Sequence, residues 1–195
     1  MSASLTAMRD IFSIGHSNHP IVHFLGLLAR HDIAALADVR STPYSRFNPQ
    51  FNRETLAEHL RAAGVSYVFL GEELGGKRPG VTYDAIAASE SFRRGLTRLR
   101  EGAAKYRVAF MCAEREPLDC HRTLLVARHL KAASHLAIRH ILADGSLEEH
   151  DAVERRLADQ AGEAPPPLMA TDPLAWRDAI ERAYQARTRT WGVGS

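Results

Sequence analysis

The side chains best suited to chemistry lie between Val108 and Leu125, in the stretch VAFMCAEREPLDCHRTLL. Val108, Ala109, Phe110 and Met111 form a short apolar run that ends in Cys112, and the loop behind it carries Glu114, Glu116 and Pro117. Asp119 then stands where a helix N-cap is expected, followed at once by Cys120, His121 and Arg122. Helix N-termini attract anions through unpaired N–H groups and lower the pKa of thiols placed there. Cys112 and Cys120 are therefore alternative nucleophiles, His121 an acid–base group, Glu114 a second one and Arg122 an anion holder. For either cysteine the plain alternative is a small, inert, buried side chain.

Positioning such groups requires a scaffold, and the apolar pattern supplies one. Ile11 to Ile14 reads as a strand leading into Gly15-His16-Ser17-Asn18, with Pro20 opening a helix that runs to about Arg30. Ile33 to Val39 reads as a second strand and Tyr67 to Leu70 as a third, covered on both faces, with a helix from Arg53 to Ala63 between them. One long helix is expected from Tyr83 to Gly102, with Arg93, Arg94, Arg98 and Arg100 as its solvated face. The strand before Cys112 is the fourth and Ala137 to Leu142 the fifth, closing at Asp144-Gly145. Alternation of this kind specifies a single Rossmann-like three-layer α/β domain over residues 1–145, with a mainly parallel sheet of about five strands. Residues 146–195 read as a helical extension: a charged helix from Leu147 to Ala161, a linker with Pro165, Pro166, Pro167 and Pro173, and a last helix from Leu174 to Arg187.

Open parallel sheets bind ligands at the carboxyl ends of their strands. At that rim the sequence places His16, Ser17 and Asn18 after strand one, Asp38, Arg40 and Ser41 after strand two, Glu72 after strand three, and Cys112 with Glu114 after strand four. His16 is an alternative general base to His121. Asp38 and Arg40 serve either as an ion pair shaping the loop or as substrate contacts. Arg40, Arg46 and Arg122 together could grip a carboxylate or phosphate. The exit loop from Ser41 to Asn52 holds Tyr44, Arg46, Phe47 and Phe51, more typical of a binding loop or lid than of a plain connection.

Composition narrows the classes. Lys+Arg 25 against Asp+Glu 23 gives a net charge of +2, too balanced to indicate a polybasic nucleic-acid or membrane surface. The count of 2 cysteines suits a reduced cytoplasmic protein better than a disulfide scaffold. Residues 1–12 lack an apolar leader core, and no run approaches a membrane span.

The stretches IGHSN (Ile14–Asn18), DVRSTPYSRFNPQFN (Asp38–Asn52), FLGEELGG (Phe69–Gly76) and MCAEREPLDCHR (Met111–Arg122) together resemble the bacterial domain of unknown function 488 family. That resemblance implies an α/β domain with a CHR motif and brings no activity with it. DVR at a strand end and a later strand–Cys–loop–helix are also similar in layout to rhodanese-like sulfurtransferases and cysteine phosphatases. Where those loops place an arginine, however, this chain has Leu118, and Glu114 and Glu116 would repel an oxyanion. No Walker A or dinucleotide-binding pattern follows a strand.

The leading expectation is an enzyme of transfer or hydrolysis acting on a small or nucleotide-like anionic ligand at the rim, with no cofactor specified. A nucleic-acid-associated module, in which Tyr44, Arg46, Phe47, Phe51 and Arg53 contact bases and phosphates, is one alternative. A metalloprotein using Cys112, Cys120, His121 and His16 is another, although the CxxC spacing of a structural zinc site is missing and no metal ligands are assigned. No membrane partner is expected, and a homodimer through the last helix is open.

Overall fold

The computed structural model describes residues 10–189; residues 1–9, where most of the leader comparison falls, lie outside the described residues. Along the chain come β1 (Asp10–Gly15), α1 (Ile21–Arg30), β2 (Ala35–Asp38), α2 (Arg53–Ala62), β3 (Ser66–Phe69), α3 (Gly71–Leu74), α4 (Tyr83–Ala88) and α5 (Glu90–Lys105). They are followed by β4 (Val108–Cys112), α6 (Arg128–Ala133), β5 (Ala137–Ile141), β6 (Leu147–Glu149), α7 (His150–Gln160) and α8 (Pro173–Arg189). The strands form one sheet in the order β3-β2-β4-β1-β5-β6. All neighbours are parallel except β5 and β6.

This order creates a switch point. From β1 the chain moves toward β2 and β3, whereas from β4 it hops over β1 to β5. Right-handed crossovers in opposite directions demand helices on opposite faces, and the core divides accordingly. Phe24, Leu27 and Leu28 of α1 and Leu56 and Leu60 of α2 pack on Phe12, Ile14, Leu36 and Met111. On the other face, Leu96 and Leu99 of α5, Leu130 of α6, Val153 and Leu157 of α7 and Ala179, Ala183 and Tyr184 of α8 share a core with Ile11, Phe110 and Ile138. The loops leaving adjacent β1 and β4 therefore part in opposite directions, the place where open α/β sheets form a ligand crevice.

Several expected elements differ in detail. The long helix from Tyr83 is two helices, because Ser89 takes an extended conformation (φ −73°, ψ 147°) and its side chain accepts from Phe92 N–H, capping α5. β3 is an edge strand, with Ser66 and Val68 exposed rather than covered. The charged segment from Leu147 starts as β6, and its helix begins only at His150. Asp119 caps no helix: it lies in a 3-10 turn and its exposed carboxylate pairs with Arg187. The helix after the CHR motif opens as a π-helix over Arg122–Ala127, every residue of which is buried.

A buried polar chain links the sheet to the last two helices. Ser13 Oγ lies 2.6 Å from His140 Nδ1, and His140 Nε2 lies 3.0 Å from His150 Nδ1. His150 Nε2 faces Glu154 Oε1 at 3.4 Å. The Tyr184 hydroxyl donates to the same oxygen at 3.0 Å and Lys131 Nζ to Oε2 at 2.5 Å.

Candidate functional site

Strand alternation decides which rim residues meet. Val108, Phe110 and Cys112 point to the α5–α6 side and share a core with Cys120, whereas Ala109 and Met111 point to the α1–α2 side. His16 falls on that second side, stacked on Phe51 at 4.3 Å between ring centroids. The HSN and CHR turns thus share the rim but lie mostly on opposite faces of it, joined by backbone: His16 N–H donates to the Cys112 carbonyl at 2.9 Å and Ser17 N–H to Ala113 at 2.8 Å.

On the α5–α6 side, one potential ligand atom from each of Cys112, Glu114, Cys120 and His121 lies within 4.8 Å of the others. Each thiol donates to Glu114 Oε2 at 3.0 Å, and Cys112 Sγ is 3.3 Å from His121 Nδ1. His121 Nε2 lies 2.9 Å from the Val39 carbonyl, an acceptor only, so the ring must carry a proton there. In the neutral ring that leaves the Nδ1 lone pair facing the sulfurs. Cys120 sits in extended backbone before the helix rather than within its first turn, and the Arg122 N–H donates to its sulfur at 3.4 Å.

The electrostatics follow from burial and crowding. Burial pushes the Cys112 thiol up, reinforced by Cys120 and Glu114. Burial acts the same way on Cys120, but a hydrogen bond with Cys112 and the charges of Arg122 and His121 outweigh it and hold this thiol well below its usual range. Burial and the Cys120 charge raise the Glu114 carboxyl. Burial opposes charge on His121, yet the adjacent sulfur and the Val39 carbonyl raise it. Both cysteines are buried and reduced, and of the four groups only Glu114 is partly exposed.

Backbone packing holds this cluster. Arg122, 1% exposed, donates to the carbonyls of Glu114 and Arg115, so its guanidinium clamps the β4 exit loop. A Cβ on Gly15 would sit 1.9 Å from the Glu114 carbonyl, so only glycine lets β1 approach that loop. A Cβ on Gly76 would lie 2.6 Å from His121 Cβ, which gives the GEELGG motif a packing role against the imidazole. Tyr83, buried in the same core, adds a residue that sequence reasoning did not single out: burial and then the nearby Cys120, Cys112 and Glu114 push its phenol up. Its only sequence signal was a place at the start of a helix.

The other candidates are engaged differently. Arg40 makes a two-pronged ion pair with buried Asp38 and donates to the Phe51 carbonyl at 2.8 Å. Its remaining Nη1 lies 3.2 Å from His16 Nε2. His16 Nδ1 in turn lies 2.7 Å from the Ser17 carbonyl, and burial with Arg40 lowers the imidazole to about 4. Tyr67 donates to Asp38 at 2.8 Å, completing a closed structural network. Ser17, at φ 47°, donates to exposed Asn18, and Ser41 Oγ accepts from Lys77 N–H at 2.9 Å. Tyr44 and Arg46 are exposed on the long loop. Glu72 is exposed, and it is Glu73 that pairs with Arg98. Neither buried arginine has its guanidinium turned outward to receive an anion.

The fold and this cluster define a Rossmann-like α/β domain with two thiols, an imidazole and a carboxyl gathered at the switch-point rim. A family model described as Domain of unknown function DUF488 matches residues 20–129, more than half of the chain, and the chain belongs to that family. No curated protein and no solved structure matches it. Among the described residues, no helix is long and apolar enough to cross a membrane.

Proposed function

We propose that the chain is a cytoplasmic metal-dependent enzyme of the hydrolytic or transfer class. Cys112, Cys120 and His121 hold a zinc-class ion, and Glu114 either completes its coordination or serves as the acid–base group. The supporting observation is the convergence of four donor side chains within 4.8 Å. Tetrahedral zinc with sulfur and nitrogen ligands has edges of about 3.5–3.8 Å, a span bracketed by the 3.3 Å between Cys112 Sγ and His121 Nδ1 and the 4.8 Å that bounds the whole cluster. Burial favours this reading over a free nucleophile, because thiolates sealed from solvent suit metal ligation better than attack on an outside substrate. A bound ion of this kind supplies Lewis acidity or an activated water. The chain's own part is to fix the His121 tautomer through Val39, to stabilise Cys120 sulfur with the Arg122 N–H, and to hold Glu114 at the open side through the Arg122 clamp. A reducing compartment keeps both thiols available.

The test is elemental analysis of untagged, full-length protein. About one zinc, iron or other thiophilic ion per chain is expected, with thiolate-to-metal charge-transfer absorption after cobalt exchange. Less than about a tenth of an equivalent, even after reconstitution, removes the reading.

The lowered Cys120 thiol beside His121 favours a second reading, metal-free thiolate catalysis. It requires protein with no metal and a thiol that alkylates rapidly near neutral pH, whereas the metal reading requires chelation before either thiol reacts.

A further inference from the structure

We propose that the loop following β2 is a stacking platform for single-stranded nucleic acid at the same rim. This inference rests on the rim-site reading and names its substrate class. From residue 41 to residue 53 the sequence is STPYSRFNPQFNR, with Arg46 and Arg53 and no acidic residue. The loop is pinned along its length. Ser45 N–H donates to Asn52 Oδ1 at 2.7 Å, and Phe47 and Asn48 N–H both donate to Ser45 Oγ at 3.2 Å. Gln50 Nε2 donates to the His19 carbonyl at 3.1 Å, and Arg53 N–H to Pro43 at 3.0 Å. Phe51, fully buried against His16 and Phe24, anchors it.

Despite that order the loop presents Phe47 at 77% exposure and Tyr44 at 53%. One exposed ring is ordinary. Here Arg46 lies 4.6 Å from the Phe47 ring centre, Arg53 lies 4.5 Å from that of half-buried Phe69 on β3, and the Tyr44 hydroxyl donates to Glu54 Oε1 at 2.7 Å, which fixes its ring. Exposed Lys77 adds a third cation, tied to the loop's first residue through its N–H to Ser41 Oγ, and the next glycine back, Gly76, packs on His121. Planar faces that accept any base, interleaved with cations that meet phosphates, are the recognition chemistry of unpaired nucleic acid. The charge complementarity is local, with Arg46, Arg53 and Lys77 outnumbering Glu54, the acid that Tyr44 binds, and it is hidden in the chain's net +2.

The experiment is fluorescence anisotropy of fluorescein-labelled 15-nucleotide oligo(dT) and oligo(U) with the full-length protein, over a series of salt concentrations. Binding should weaken with salt at a log–log slope of about −2 for three phosphate contacts. Phe47→Ala should weaken it roughly tenfold or more, and Arg46→Gln should reduce the slope by about 0.7, with metal content unchanged in both variants. No binding at about 50 mM salt, Phe47→Ala binding like wild type, or a duplex bound as tightly as the single strand would each overturn the platform. If metal is present and binding absent, only the platform fails; if metal is absent and binding present, only the rim-site reading fails.

Discussion

Two histidine-containing clusters lie on the same side of the sheet, and they are built on opposite principles. In the Ser13–His140–His150–Glu154 chain, donors and acceptors can alternate. A carboxylate at one end requires a proton on His150 Nε2, which leaves His150 Nδ1 to accept from His140 and His140 Nδ1 to accept from Ser13. Lys131 and Tyr184 close the far end. In the rim cluster both thiols compete for one carboxyl oxygen while His121 Nδ1 lies 3.3 Å from the Cys112 sulfur. The interior chain consumes its polarity in holding α7 and α8 to the sheet. The rim instead gathers two thiols, a carboxyl and an imidazole within 4.8 Å of one another, the convergence on which the proposed cation site rests.

The largest expected effect that would break this contrast is at the rim. Cys120→Ser should lower zinc affinity by a hundredfold or more in a chelator competition, while leaving a folded protein by circular dichroism. Retention of a full equivalent would show that the sulfur is not a ligand. His140→Ala should do the reverse. It should leave metal content intact but destabilise the fold by about 2–3 kcal/mol in urea titration, because a cavity and unpaired buried groups remain.

A smaller, pH-resolved effect sharpens the interior half. Burial opposes the Glu154 charge, but hydrogen bonds and charges from His150 and Lys131 lower its carboxyl from 4.5 to about 2. A depressed carboxyl contributes fully above its unfolded pKa and loses that contribution as pH falls through the folded value. The wild type should therefore lose about 3 kcal/mol between roughly pH 4.5 and 2 that Glu154→Gln does not lose, measured as the difference between their acid limbs. If the two limbs coincide, the carboxylate does not organise the chain. The smallest effect belongs to Asp119→Asn, which removes only an exposed pair with Arg187. A change below about 0.5 kcal/mol is expected, whereas a loss near 1 kcal/mol would restore the helix-capping role that its sequence position suggested.

The parallel strands were legible because unbroken apolar runs in a doubly covered sheet leave a strong signal even when short, as Val108 to Met111 does. β6 was not: Leu147-Glu148-Glu149 is short, charged at two of its three positions and recognisable only from its partner β5. The break at Ser89 was readable in principle, since a serine N-cap with an acidic residue, Glu90, in the first turn is a helix-start signal, but continuous apolar spacing across it hid the boundary. At the site, the rim could be inferred and the face could not. His16 and Cys112 both end adjacent strands, and only the parity of the pleat separates them, placing Glu114 rather than His16 beside the thiols. Arg40 and Arg122 looked like anion holders because sequence shows a guanidinium but not the Phe51, Glu114 and Arg115 carbonyls that occupy it.

The π-helical turn from Arg122 to Ala127 makes tolerance of length change depend on where along this helix the change falls. Such a turn carries one residue more than the α pitch allows, so trimming a single amino acid there would let the segment relax to ordinary winding with Leu130 still facing the interior. The same deletion in the α-helical stretch from Arg128 to Ala133 would instead rotate everything after it by about 100°. A one-residue deletion should thus be absorbed in the first span and disruptive in the second.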